Sequence, residues 1–403
     1  MKSIRISRVK KQENLLRSKL LWSILVLPYF EPASYVVGTL GEYLFAVLLM
    51  LSCALTLYFT LKEKISIESW GYVLCVAYFV ITLSTFISPY ESDIFGQLKG
   101  VSKVIFFLLL VKVGLCLEAD LFIDSFLLVG MVMLLLCDAT MFLYKDQGGM
   151  NPLSGMTTVY GVRYSSNWYL MGHDTQSLFY FFPVLVVGAI KYAKSRYTFR
   201  LLFVALFVMT FCAYFYVDVA SAKIVLPLFL LLILFFSRFG IAKYFSWIVV
   251  GGICALFAFV VLAQGVTMFS DALQSLLNRS SDLTGRFAIW RNSIFVIADN
   301  PILGVGTLTG NQCISLIGIN HCHNMILEIL FRGGIVALVI YLWCFAEACS
   351  GLVSKPGGLI EPIIAAGIVC FAFLSTIDFY IFNPVIMILL VLGSNSRLIC
   401  WDR

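Results

Sequence analysis

Hydrophobic residues in this chain come in long blocks, without the strict alternation of a half-buried strand, and the blocks follow one another from residue 20 almost to the end. A helix needs roughly 20 residues to cross the hydrocarbon of a bilayer, and backbone in that medium must satisfy its own hydrogen bonds. The blocks therefore predict membrane-spanning helices, and the missing alternation excludes a porin-like barrel. Read in order, they predict about twelve spans. The first six lie near Leu20 to Val37, Leu40 to Leu61, Ser69 to Ser88, Lys103 to Cys116, Leu121 to Tyr144 and Gln176 to Ile190. The others lie near Leu201 to Val217, Ala222 to Phe236, Ile241 to Gln264, Met325 to Phe345, Leu359 to Thr376 and Tyr380 to Ile399.

Composition turns this pattern into a fold class. Apolar residues make up 61% of the 403 positions and charged residues only 12%, against roughly a quarter charged in an ordinary soluble domain. So few charges cannot cover a water-soluble surface of this size. The expectation is an all-α polytopic membrane protein, with residues 1–403 forming one membrane domain.

The placement of charge then gives a sidedness. With an even number of spans both termini share a side, and that side receives most of the 28 basic residues, including Lys2, Arg5, Arg8, Lys10, Lys11, Lys62, Lys64, Lys191, Lys194, Arg238 and Lys243. Basic loops are cytoplasmic. The basic N-terminal run is thus read as a topological anchor, with no nucleic-acid partner, and no small-residue cleavage site follows the first span.

Most of the twelve cysteines fall in or beside predicted spans and read as small packing residues. Cys313 and Cys322 share one extracytoplasmic loop, where an oxidising compartment allows either a bridge or two thiols.

Two connections, 145–175 and 265–322, are too long for simple links, and long loops are commonly functional. Both fall on the extracytoplasmic side and together hold or directly adjoin all three histidines, His173, His321 and His323. Within the second loop, Arg286 to Asp299 reads as a helix ended by Asn300-Pro301. Phe287, Trp290, Ile294, Ile297 and Ala298 form its apolar stripe, with Arg286 and Arg291 on opposite margins. Such a helix is expected along the membrane interface, its arginines meeting either lipid phosphate or the pyrophosphate of a lipid-linked substrate. Gly304-Val305-Gly306 reads as a tight turn rather than a phosphate cradle, since no strand precedes it.

His323 falls just before a predicted helix, with Asn320 or Asn324 as cap. That position suits both a capping residue and a neutral general base. A metal reading would take His321 and His323 as ligands, but no further histidine or acidic cluster lies close enough in sequence to complete a shell, so no metal and no other cofactor is expected.

Taken in order, Thr284-Gly285-Arg286, Trp290, Asp299-Asn300-Pro301-Ile302-Leu303-Gly304-Val305-Gly306, and His321-Cys322-His323-Asn324 leading to Leu327-Glu328 and Gly333-Gly334 resemble the signature of the bacterial O-antigen ligase and O-antigen or capsule polymerase family. The resemblance is close over Arg279 to Gly334. It implies a polytopic glycosyltransferase architecture of the GT-C type in the bacterial cytoplasmic membrane. It also implies metal-independent transfer of a glycan from undecaprenyl pyrophosphate to an acceptor hydroxyl on the outer side.

By the same resemblance, His323 is the general base and Arg286 the group that holds the departing pyrophosphate. Arg279, Arg291 and Asn324 are further substrate contacts. Where family members often carry a Ser-Arg pair, this chain has Ser221-Ala222-Lys223, which makes Lys223 a second candidate for the pyrophosphate. Arg163, in the aromatic stretch Gly161 to Tyr169, is a candidate for the glycan. The implied partners are the lipid-linked oligosaccharide, membrane lipids, and a chain-length regulator and flippase of the same pathway. A polymerase is the leading expectation and a ligase acting on the lipid A core the nearest alternative. A lipid-linked sugar transporter is the alternative of another class, against which stands the lack of a repeat between the two halves.

Overall fold

The computed structural model describes residues 18–150, 157–159, 162–164, 167–194, 197–262, 286–354, 356–378 and 381–396. The protein is a helical bundle with 13 α-helices among the described residues: α1 Lys19–Val26, α2 Ser34–Lys62, α3 Ser69–Ile87, α4 Ile94–Tyr144, α5 Asp174–Lys194, α6 Tyr197–Tyr216, α7 Ala220–Phe239, α8 Phe245–Phe257, α9 Arg286–Asp299, α10 Gly310–Ile317, α11 Met325–Cys349, α12 Ile360–Ser375 and α13 Ile388–Ser394. Two small antiparallel hairpins, β1 Thr157–Val159 with β2 Val162–Tyr164 and β3 Trp168–Tyr169 with β4 Gly172–His173, interrupt the all-α pattern in the first long loop.

Eight of these helices are long and apolar enough to cross a membrane, and Lys19–Phe30 and Ile360–Ser375 are shorter apolar helices. About twelve spans were expected, and the difference has local causes. The two spans expected between Lys103 and Tyr144 form the single helix α4, capped at its start by Asp93 and broken only at Glu118 (φ −153°, ψ 69°). The first span stops early, because Pro28 turns the chain into a 3-10 segment, Leu27–Phe30, and α2 then begins at Ser34. Among the described residues of the expected last span, 381–387 are mostly turns and helix α13 follows over Ile388–Ser394.

The outer face of the bundle is apolar. Leu40, Leu44, Val47, Met50, Leu57 and Leu61 stand exposed along α2, and Leu230, Leu231 and Leu234 along α7. Exposed apolar area on this scale is what a lipid-facing surface requires. Inside, small residues let helices approach closely, as membrane bundles need when lipid is as apolar as leucine. A Cβ on Gly130 of α4 would lie 2.5 Å from the Val184 side chain of α5, and one on Gly188 of α5 2.4 Å from Phe203 of α6.

A second, smaller core sits over one end of the bundle. Trp290 of α9, Val305, Leu308, Cys313 and Ile317 of α10, Cys322, and Leu327 and Phe331 of α11 form it. α9 has the bounds its pattern predicts. Its stripe, however, faces protein: Trp290 is buried and donates from Nε1 to the Cys322 carbonyl at 3.0 Å, with Phe287, Ile294 and Ile297 packed beside it. Ala298 and Arg291 are exposed. The apolar side of α9 is thus satisfied by α10 and α11 rather than by lipid.

The glycine pair of the 304–306 turn has a structural role. α11 is broken at Gly334 (φ 63°), which frees the carbonyls of Phe331 and Arg332 to accept from Val305 N at 2.7 Å and Gly306 N at 3.0 Å. In return Ile335 N donates to Pro301 O at 2.9 Å. The chain after α9 is laced into the break of α11, and side chains would obstruct it: a Cβ at Gly334 would lie 2.1 Å from Ile302 O and one at Gly304 2.5 Å from Phe331 O.

Candidate active site

At this end of the bundle the helix termini deliver polar side chains to one place. α11 begins at Met325, capped by Asn324, whose Oδ1 accepts from Leu327 N at 3.0 Å. The Asn324 amide also donates from Nδ2 to Thr376 O at 2.8 Å, which ties the turn after α12 to the start of α11. Asn324 has no exposed surface. The residue expected to contact substrate is therefore a cap and a tie, its amide turned into the fold.

That tie brings Asp378 to the histidines. His323 Nδ1 lies 3.2 Å from Asp378 Oδ1, and His321 Nε2 lies 3.9 Å from the same oxygen. The two rings sit 4.2 Å apart, centroid to centroid. His323 has a left-handed backbone (φ 48°), uncommon for a residue with a Cβ. Its neighbours hold it there: Cys322 N donates to Glu328 Oε2 at 2.7 Å, Cys322 O accepts from Trp290, and Asn324 caps the helix.

The third histidine joins from the first long loop. The β3–β4 hairpin pairs Trp168 with His173 and places His173 at the start of α5, its Nδ1 2.9 Å from Asp174 Oδ1. Arg286, the first residue of α9, is close enough for its charge to act on both Asp378 and His173. All three histidines of the chain, Arg286 and two buried aspartates thus meet at one end of the bundle.

The electrostatics follow from that crowding. Burial pushes the Asp378 carboxyl up, but the hydrogen bond and charge of His323, then the charges of Arg286 and His321, outweigh it and hold the group well below the ordinary carboxylate range. His321 is pushed down to about 3, by burial first and then by His323, with Arg332 and His173 adding to the effect. Burial also lowers His173, but the charge and hydrogen bond of Asp174, with Asp378, reverse the sign and raise it.

His321, His323 and Asp378 also present three potential metal-ligand atoms within 4.8 Å of one another. The sequence-based expectation of no metal assumed that no acidic partner lay near, and Asp378 supplies one from 55 residues away. Set against a dication are the charges of Arg286 on Asp378 and of Arg332 on His321. The 3.2 Å contact is also a hydrogen-bond distance in its own right.

Arg332 is a charged residue close enough to act on His321 that the pattern of motifs does not mark. It is buried in α11, donates from Nε to Glu328 Oε1 at 2.6 Å and from Nη1 to Thr307 Oγ1 at 2.8 Å, and lies 5.2 Å from the Phe382 ring centroid. A charge inside a predicted span is a functional candidate by default, and that signal was available.

The other candidates stand apart or outside. Lys223, near the start of α7, pairs with Asp218 and lies 4.9 Å from the Phe215 ring centroid. Arg291 lines a shallow groove with Phe287, Ile294 and Phe295 instead of facing the histidines. Arg279 lies outside the described residues, as does the side chain of Arg163. Cys313 and Cys322 are both buried and both free thiols.

Residues 204–342 match the family model described as O-antigen ligase. The matched stretch runs from within α6 to within α11, so it carries Lys223, Arg286 and His323 but neither His173 nor Asp378. No curated protein and no solved structure matched the chain.

Proposed function

We propose, on the premise that this chain belongs through residues 204–342 to the O-antigen ligase and polymerase family of lipid-linked glycan transferases, that it is a polysaccharide polymerase of the bacterial cytoplasmic membrane. It would move a glycan from undecaprenyl pyrophosphate to the hydroxyl of a second lipid-linked repeat unit. The observation that carries this reading is that Asp378, 3.2 Å from His323, is also reached by the charge of Arg286, which brings the start of α9 and the start of α11 to one end of the bundle. A base and a fixed guanidinium are what the reaction needs. His323 takes the proton of the acceptor hydroxyl as its oxygen bonds to the anomeric carbon. The bond from that carbon to the pyrophosphate oxygen breaks, and Arg286 stabilises the charge that collects on the leaving group.

The supporting topology is about twelve crossings with both termini cytoplasmic: α1 with its 3-10 extension, α2, α3, the two arms of α4, α5 to α8, α11, α12 and the segment ending in α13. In it the histidine end faces outward, where lipid-linked glycans are presented. Lys223, near the start of α7, would exchange Asp218 for a phosphate oxygen. Arg279 would stand near Arg286 on the approach to α9, while Arg291 and Arg163 would meet lipid phosphate or glycan at the rim. Ser221-Ala222-Lys223 favours the polymerase over the ligase, because the polymerase branch of the family is diverse and tolerates departures from the Ser-Arg pair.

The acceptor is identified in the native cell by replacing His323 with Ala and resolving surface glycan on a gel. Collapse of the ladder to single repeat units is expected. Long chains stranded on undecaprenyl pyrophosphate would identify a ligase instead, and an unchanged ladder at normal protein level would contradict both.

A further inference from the structure

At the opposite end of α5 from His173, a cleft of about 780 Å³ opens between α5, α6 and α7, with Leu359 and Ile363 of the start of α12 in its wall. Ala189 and Ala193, one turn apart on α5, leave the space that larger side chains would fill. Val204, Val208 and Leu230 line the cleft and are also exposed, so it opens sideways onto the apolar outer face. Along α6 it runs from Arg200 to Phe211, a length of about 16 Å at about 1.5 Å per residue. That is the depth of one leaflet in a hydrocarbon core about 30 Å thick.

The apolar slot has a charged mouth. Arg200, exposed in the first turn of α6, donates from Nε to Tyr192 O at 3.1 Å and lies 5.3 Å from the Tyr192 ring centroid. These contacts orient the guanidinium and leave its two terminal nitrogens to donate. Among the described residues no carboxylate pairs with it. Lys194, just past Tyr192, is exposed in the last turn of α5, whereas Lys191 is already paired with Asp124 at 2.8 Å. Glu361 is two positions from both Leu359 and Ile363 and so lies off the face they share. By the distribution of basic residues this end is cytoplasmic. We propose that the cleft binds an anionic glycerophospholipid of the cytoplasmic leaflet, with its phosphate on Arg200 and Lys194 and an acyl chain along α6. A basic mouth between spanning helices on that side is what recognises anionic headgroups. A zwitterionic lipid would bring its own ammonium up to the two cations. The tail of a lipid-linked substrate would enter from the other leaflet, with its pyrophosphate at the far end of these helices.

The test titrates full-length protein in detergent with dioleoyl phosphatidylglycerol or with dioleoyl phosphatidylcholine, which has the same chains and no net charge, and reads bound lipid by native mass spectrometry. Wild-type protein is expected to bind phosphatidylglycerol at least about tenfold more tightly. Arg200→Gln is expected to weaken that binding by about fivefold. Ala193→Phe, which fills the cleft and keeps both charges, is expected to weaken it at least as much. Lys62→Gln, at the end of α2 on the same basic side, should leave it unchanged. Equal affinity of wild-type protein for the two lipids overturns the proposal, as does wild-type binding in either Arg200→Gln or Ala193→Phe. An equal loss in Lys62→Gln overturns it by spreading the attraction over the whole basic surface. Displacement of phosphatidylglycerol by undecaprenyl phosphate, undiminished in Arg200→Gln, overturns it by giving the cleft to a polyprenyl tail. None of these readouts depends on glycan transfer, so they stand or fall apart from the function proposed above.

Discussion

His323 is held in a left-handed conformation (φ 48°) that costs a residue with a Cβ about 1–3 kcal/mol, a cost sustained only where the surroundings over-determine the backbone. Asn324 is the most exposed to test of those surroundings, because one amide both caps α11 and holds the Thr376 turn. Asn324→Ala is expected to cost about 1 kcal/mol for the cap and more for the Thr376 carbonyl left without its donor. The readout is a lowered thermal unfolding temperature together with lowered transfer. Asn324→Asp keeps the capping oxygen, loses the donor and adds a charge beside Asp378, so it should recover less than the cap alone would restore. His323 and Arg286 were legible in the sequence because each sits in a dense run of motif residues. Asp378 was not, because its partner lies 55 positions away and a lone aspartate on a turn has no pattern to announce it. Asn324 was legible as a cap, and its second bond, to the Thr376 carbonyl, was not, because that partner lies 52 positions away.

At the scale of elements, periodicity was most reliable where a helix stands alone between clear stops. α9 runs from Arg286 to Asp299 as its pattern predicts, ended by Asn300-Pro301. Its surroundings were not legible, since an apolar stripe reads the same whether lipid or α11 covers it. The break in α11 at Gly334 was hidden for a related reason: two glycines in a span signal close packing, and only the structure shows that the chain after α9 fills the gap. Gly334→Ala would place a Cβ 2.1 Å from Ile302 O in a positive-φ conformation. It is expected to abolish stable expression. Gly357→Ala, at φ 93° with nothing within 4 Å, should cost about 1–2 kcal/mol for the backbone alone and leave the protein folded. Equal expression of the two variants in membranes would show that the interlock is dispensable.

At the scale of the whole molecule, the blocks of apolar residues were enough to read a polytopic bundle, and the count of spans blurs where Pro28 shortens the first one, where α4 runs through Lys103 to Tyr144 with a single break at Glu118, and where helix covers only part of the last segment. What the pattern could not give was convergence. The two long loops are separated by four helices, α5 to α8, yet they and the residue that follows them deliver His173, Arg286 and His323 to one end of the bundle, where a turn from the far C-terminal part adds Asp378. In the function proposed above, that end is the site of glycan transfer. Its most direct test is transfer by the purified, reconstituted protein supplied with lipid-pyrophosphate-linked repeat units and no other enzyme. Wild-type protein is expected to release lipid pyrophosphate as glycans are joined, and Arg286→Ala and His323→Ala to release it at least about 100-fold more slowly while remaining folded. Release at the wild-type rate by both variants would contradict the account.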